Sequence, residues 1–327
     1  GNASGTGPEI NLGFEPQWLL VKNAGNSSSD WLLLDVMRGW GMGDADIFLE
    51  PNTSGADQGS QNWVDITPTG FKITNANGQI NGSGENHIYM AIRRGPLAEP
   101  TSGTDVFATG VVQNNTRKTL TNPLGHPSDW AFLQTSSGGN WIVQSRLTES
   151  ADLKFNSSAA EVDNKGYGFA NNTNYEADGT AAIGAYGWNF RRAPGYFDIA
   201  TYNGNAQASA ITVNHNLSAI PEMMWCKKRG ATGDWMVYHK DLNGGTNPHT
   251  YRLRLNSSGG EGTGSGVWNA APTATQFSVG TDLDVNADAN IGFITYLFAT
   301  LAGVSKVGSY TGNGSSQNID CGFSNGA

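Results

Sequence analysis

Short apolar runs of β-branched and aromatic residues, bounded by Gly, Asn, Ser and Pro, recur about every 12 to 15 residues along the chain. No stretch of useful length carries an apolar stripe at the helical spacing, so the runs predict strands. After Gly195 they fall near 198–203, 209–216, 222–229, 234–240, 249–257, 275–280 and 291–300. Side chains alternate between the two faces of a strand, so Trp235 and Val237 share one face and Tyr238 lies on the other.

The runs themselves repeat. Pro221 to Lys227, Gly233 to Val237, Leu253 to Ser258, Gln276 to Gly280 and Phe293 to Phe298 have counterparts in the same order earlier in the chain. Pro16 to Lys22, Ser29 to Leu33, Phe48 to Asn52, Gly70 to Ile73 and Ile88 to Ile92 form one copy, and Trp130 to Leu133, Gly139 to Val143, Leu153 to Ser158, Gly168-Phe169 and Tyr186 to Phe190 form another. A period of about 100 residues is the size of a domain able to bury its own core. About seven short strands in that length are usually accommodated as two packed antiparallel sheets. The expectation is an all-β tandem array of antiparallel β-sandwich domains: 1–94 with its opening strand missing, 95–194, 195–302, and 303–327 as the opening strands of a fourth copy.

Gly1 to Phe14 and Gly312 to Phe323 lie in the same phase of the period, and no initiator Met is present, so the chain reads as part of a longer or processed polypeptide. Flanking sequence would then complete the first and last copies; strand addition between neighbouring subunits is the alternative. The joints Arg93 to Pro96, Arg191 to Gly195 and Ala299 to Gly303 align, and the prolines in two of them predict a semi-rigid rod. The Arg pairs are absent from the third joint, which suits inter-repeat salt bridges or solvated charges better than a shared ligand site.

In the aligned fourth strand Trp31, Trp141 and Trp235 coincide, with Leu33, Val143 and Val237 two positions on. Trp31, Trp141 and Trp235 are therefore expected as equivalent core anchors. Trp40, Trp63, Tyr175 and Trp268 have no aligned partner and are expected as exposed loop aromatics able to contact a glycan.

Composition narrows the functional classes. The chain carries 44 glycines and only 14% charged residues, which suits a turn-rich β protein with a neutral polar surface. A formal charge of −9 argues against a nucleic-acid partner, and no apolar stretch is long enough for a spanning helix, so membrane insertion is not expected. The two cysteines, Cys226 and Cys321, stand where other copies carry core aliphatics and read as buried free thiols.

No His-Glu-x-x-His pair or phosphate-binding loop is present, and the five histidines occupy different phases of the repeat. No enzyme and no cofactor are expected. The weak metal candidate is Asp282, Asp284, Asn286 and Asp288, whose oxygens alternate as in a calcium loop. Ala287 and Phe293 replace the Gly and Glu of an EF-hand, leaving a looser site or a solvated turn; Asp44 and Asp46 are weaker still. The Asn-x-Ser/Thr triplets at Asn26, Asn52, Asn156 and Asn256 suit glycosylation acceptors or strand-ending turns.

The run Tyr196 to Asn205, with Val213 to Leu217, Pro221 to Met224, Lys227 to Arg229, Gly233 to Lys240 and Gly303 to Gly314, resembles a tandem repeat domain of virion proteins from marine tailed phages, cyanophages among them. The resemblance implies a structural virion protein, a tail-fibre or appendage segment that spaces and presents a host-adhesion tip. It also implies other virion proteins as partners, a homo-oligomer with trimer as the expected state, and a place on the extracellular particle surface. Glycan-binding modules contacting host polysaccharide, and a depolymerase acting on it, are the alternatives.

Overall fold

The computed structural model of the chain describes residues 1–5, 7–42, 46–93, 98–111, 118–121, 128–135, 138–148, 151–163, 167–168, 174–177, 185–264, 266–289 and 291–323. It is all-β, and its small antiparallel sheets are arranged as a five-bladed β-propeller. The tandem array of β-sandwich domains is thereby corrected.

The first repeat supplies β1 (Glu9–Asn11), β2 (Pro16–Asn23), β3 (Trp31–Asp35), β4 (Asp46–Leu49), β5 (Gln58–Gln61), β6 (Val64–Thr67), β7 (Gly70–Ile73) and β8 (His87–Arg93). They pair as a wide ladder, β5-β4-β3-β2-β8, and a narrow one, β1-β7-β6. The second supplies β9 (Phe107–Val111), β10 (Lys118–Thr121), β11 (Trp130–Thr135), β12 (Ile142–Ser145), β13 (Ala151–Lys154), β14 (Val162–Asp163), β15 (Tyr167–Gly168), β16 (Asn174–Ala177) and β17 (Ala185–Phe190). Its ladders run β14-β13-β12-β11-β17-β9 and β10-β16-β15.

The third supplies β18 (Phe197–Asn203), β19 (Ile211–Asn214), β20 (Met223–Lys228), β21 (Met236–His239), β22 (Tyr251–Arg254), β23 (Gly262–Thr263), β24 (Trp268–Ala270), β25 (Gln276–Val279) and β26 (Gly292–Phe298). Its ladders run β18-β26-β20-β21-β22-β23 and β19-β25-β24. Six ladders in five blades mean that at least one blade holds more than one ladder. The opening strands expected in 303–327 are not formed among its described residues, where pairing ends at an isolated Leu301–Ser305 bridge.

Burial on both faces of the central strands explains why separate beads do not form. Phe293 to Leu297 of β26 are all buried. Phe293 and Leu297 face a cluster with Tyr202, Trp268 and Phe277, enclosed by the wide and narrow ladders of the third repeat. Ile294 and Tyr296 face the opposite way, into a cluster that also holds Leu19, Trp130 and Phe197. A strand in a lone sandwich needs one apolar face; stacked propeller blades use both.

Trp130, fully buried, lies at the meeting point. Its ring centroid is 4.7 Å from Phe190 and Tyr296 and 5.2 Å from Phe197. Phe155 extends the contact to Trp225 at 5.5 Å and Trp235 at 5.2 Å. Aromatic faces from the second and third repeats thus pack directly on one another, where the rod reading expected a short linker.

The aligned tryptophans expected as equivalent core anchors occupy three environments. Trp235 is fully buried in the shared cluster, Trp141 packs against its margin, and Trp31 is half-buried and belongs to neither cluster. In the first repeat Leu32 and Leu34, on the opposite face of β3, are the buried residues. The recurring feature is instead a clamp on the tryptophan backbone. The N–H groups of Trp31, Trp141 and Trp235 donate to the side-chain oxygens of Asn52, Asn156 and Asn256 at 2.9, 3.2 and 3.0 Å. Each asparagine amide donates in turn to the residue before the tryptophan, Asp30, Asn140 or Asp234. This gives three of the four triplet asparagines, Asn52, Asn156 and Asn256, a structural role.

A shared aromatic centre predicts one cooperative unfolding transition for the whole chain, seen as a single calorimetric peak. Trp130→Ala should lower that peak without splitting it, at a cost of roughly 3–5 kcal/mol. Separate peaks for the three repeats would contradict the shared core.

Candidate functional site

Three of the four aromatics expected on the surface are interior. Trp40 is fully buried and its indole N–H donates to the Val64 carbonyl at 2.7 Å. Trp63 stacks on Phe48 at 4.8 Å, and Trp268, on β24, lies edge-on to Tyr238 at 6.1 Å. Each lacks an aligned partner because it fills a packing gap particular to its own repeat, which is a core role without periodicity. The glycan-contact expectation for Trp40, Trp63 and Trp268 is therefore corrected: sugar stacking needs an exposed ring face. Tyr175 lies on β16 opposite Leu120, with its side chain outside the described residues.

The acidic loop spends its oxygens on backbone N–H groups of its own turn and of neighbouring loops. Asp282 accepts from the N–H of Asp284 at 2.9 Å, and Asp284 accepts from the N–H of Asp234 at 3.1 Å. Buried Asn286 donates to the carbonyls of Ser209 and Gly280 and accepts from the N–H of Asn205. Asp288 is exposed, and no group of His, Cys, Asp or Glu suited to a metal exists among the described residues. Asp44 and His126 lie outside the described residues. Cys226 is buried as expected, whereas Cys321 is exposed, a correction tied to its place in the unpaired C-terminal segment.

The charged groups that the fold does gather sit at the junctions. Arg192 is buried beside Glu15 and Asp198, with its Nη atoms 2.6 and 2.7 Å from the two Glu15 oxygens and its Nε 2.7 Å from Asp198. The Arg192 N–H donates to Asp129 at 2.7 Å. One guanidinium thus ties the first repeat to the joint before β18, and its carboxylate partners hold it charged against the penalty of burial. Arg229 pairs with Glu161 at 2.7 Å and also donates to the Met42 carbonyl, joining all three repeats.

Lys227, a core-lining lysine, donates to the carbonyls of Ser158 and Gly233 at 3.1 and 2.9 Å, and burial lowers its pKa to about 8. Lys22, its counterpart, likewise donates to the Ser29 carbonyl. The recurrence marks these lysines as loop anchors. A cleft of about 230 Å³ opens between the first and third repeats, lined by Asp65, Thr67, Lys72, Thr201, Asn203 and Asn214 among others.

Asp46 accepts from the N–H groups of Trp63 and Val64 at 2.6 and 2.8 Å. Burial nevertheless pushes its carboxyl up to about 8, outweighing those two donors, and neighbouring Asp65 adds to the rise. A further surface feature has no counterpart in the sequence reading: Ile88, Tyr89, Met90 and Ile92 of β8 are all 48% exposed or more. Four large apolar side chains on one strand form a candidate contact edge.

A family model described as a domain of unknown function, DUF7483, matches residues 1–96 and 138–325. These stretches make up most of the chain, which belongs to that family. No curated protein and no solved structure matches it.

Two outcomes test the buried charges. Asp46 holds a proton more tightly folded than unfolded, so its contribution to stability falls as pH rises from about 4 to about 8. Asp46→Asn keeps an acceptor for both N–H groups and should melt above wild type at pH 8, with the gap closing at pH 4 in paired thermal melts. Arg192→Met strands Glu15 and Asp198 and should cost about 3–5 kcal/mol in denaturant titrations.

Proposed function

We propose that this chain is a non-catalytic structural segment of a tailed-phage virion, a fibre or appendage piece that spaces and presents an adhesive tip on the particle surface. The observation that carries the reading is the pooling of aromatic side chains in one interior. Trp130, Trp225, Trp235 and Tyr296 come from two repeats and meet in a single cluster. Repetition used in this way makes a stiff body, because each repeat is ordered by its neighbours. Buried ion pairs at the junctions add directional constraint to that packing.

The resemblance to phage repeat domains supplies the setting, and the same setting suggests other virion proteins as partners and a homo-oligomer, with a trimer as the expected state. Direct glycan binding loses support from the burial of Trp40, Trp63 and Trp268, which removes three of the four aromatics proposed as sugar contacts.

Antibody raised against the folded chain should label fibres or appendages of gradient-purified particles in electron micrographs, and the chain should appear in the particle proteome. Its absence from purified particles would refute the proposal. A host-polysaccharide array should give no signal above background with the isolated chain; binding would favour the adhesin reading.

A further inference from the structure

The cleft between the first and third repeats is walled by two strands that are outer members of their ladders, β6 in β1-β7-β6 and β19 in β19-β25-β24. Both lie well inside the chain, and the residues leading into and out of each are described. An outer strand turns every second peptide N–H and C=O away from its ladder, where they need another partner or stand as a template for a further strand.

The two walls are finished differently. On β6 the outward groups belong to Val64 and Ile66, and each has a partner within the protein. The Val64 N–H donates to Asp46 at 2.8 Å, and the Val64 carbonyl accepts from the Trp40 indole at 2.7 Å. The Ile66 N–H donates to the Gly41 carbonyl at 3.1 Å, and the Ile66 carbonyl accepts from the Thr201 hydroxyl at 3.4 Å. On β19 the phase is set by His215, whose N–H donates to the Thr275 carbonyl at 2.9 Å, in step with the pairs Ile211–Val279 and Val213–Phe277. Thr212 and Asn214 therefore turn their backbone groups outwards, and among the described residues those groups have no hydrogen-bond partner.

This edge is held ready for pairing. Buried Asn286 accepts from the Asn205 N–H and donates to the Ser209 carbonyl, which pins the turn that leads into β19. Gln276 donates to the Asn214 side chain at 2.8 Å, so that side chain is engaged with the next strand and leaves the Asn214 backbone clear. A fixed edge loses little conformational freedom when a strand is added to it.

The facing wall supplies a charge pattern. Glu9 and Asp65 stand opposite Lys72 on either side of β7, so the three side chains share one face and all line the cleft. Two carboxylates flank one ammonium, which leaves the row with an unbalanced negative charge. A cationic side chain entering the cleft would balance it.

We infer that the cleft takes an extended, cationic peptide segment of a partner protein, added as a strand on the outer edge of β19 with a Lys or Arg side chain beside Glu9 and Asp65. Main-chain hydrogen bonds to Thr212 and Asn214 supply affinity in such augmentation, and the charged wall supplies preference. The four residues of β19 span about 13 Å, so three or four residues of the segment pair with it.

Panning the folded chain against a library of acetylated hexapeptides, with counter-selection on the Thr212→Pro chain, tests this. Thr212 donates nothing to β25, and proline is tolerated on an edge strand where its N–H side faces outward, so Thr212→Pro should melt with wild type. Enriched peptides should carry Lys or Arg and bind Thr212→Pro about tenfold or more weakly, as expected for a lost ladder bond and a proline ring in its place. N-methylation of successive peptide residues should cut binding at every second position, because an added strand points alternate N–H groups at its host. Glu9→Gln should weaken binding and Lys72→Gln strengthen it, each by about two- to fivefold at low salt. Failure of any peptide to distinguish wild type from Thr212→Pro would overturn the inference, as would a methylation profile without alternation. Enriched peptides lacking positive charge would overturn the cationic assignment, and wild-type dimers dissolved by Thr212→Pro would name a second copy as the occupant instead. None of these readouts involves a virion, so failure here leaves the particle assignment intact.

Discussion

The stacking of aromatic faces around Trp130 is the constraint on which the architecture depends. Its ring meets Phe190 from its own repeat and Phe197 and Tyr296 from the next, so the second and third repeats share an interior. Once that contact forms, the strands beneath it are buried on both faces, and β26 becomes an almost continuous apolar run. The narrow ladder of the third repeat then closes over the other side of the same strands. Stacked blades follow from these two layers of packing.

Polar groups at the junctions restrict how the blades can lie. Arg192 must face Glu15 and Asp198 together, and Arg229 must reach both Glu161 and the Met42 carbonyl. A buried guanidinium with planar, paired donors tolerates little rotation of its partners. Apolar stacking alone has no such directionality, so hydrogen-bonded charge supplies the angle and aromatic area supplies the attraction.

The first repeat departs from this scheme in an informative way. Its Leu32 and Leu34 face an interior, while Trp31 on the other face of β3 is half-buried and β8 is open along its outer edge. The same sequence positions that make an inter-repeat core in the third repeat therefore lie at a boundary in the first.

Periodicity alone determined the strand content, the repeat phase and the place of nearly every long strand. Runs near 198–203, 222–229 and 291–300 are seen as β18, β20 and β26, because β-branched and aromatic clusters between turn residues are local signals. The recurring asparagines were visible too, although their grip on the tryptophan N–H groups was not. What only the tertiary structure decided was which apolar faces meet. Alternation along β21 cannot tell whether the face with Trp235 packs within its repeat or across to Phe155 of another. Nor can a missing counterpart for Trp40 or Trp268 reveal whether it marks solvent or a locally shaped core. Burial depends on neighbours distant in sequence, and the same alternating pattern serves a sandwich and a propeller blade until a second sheet covers the remaining face.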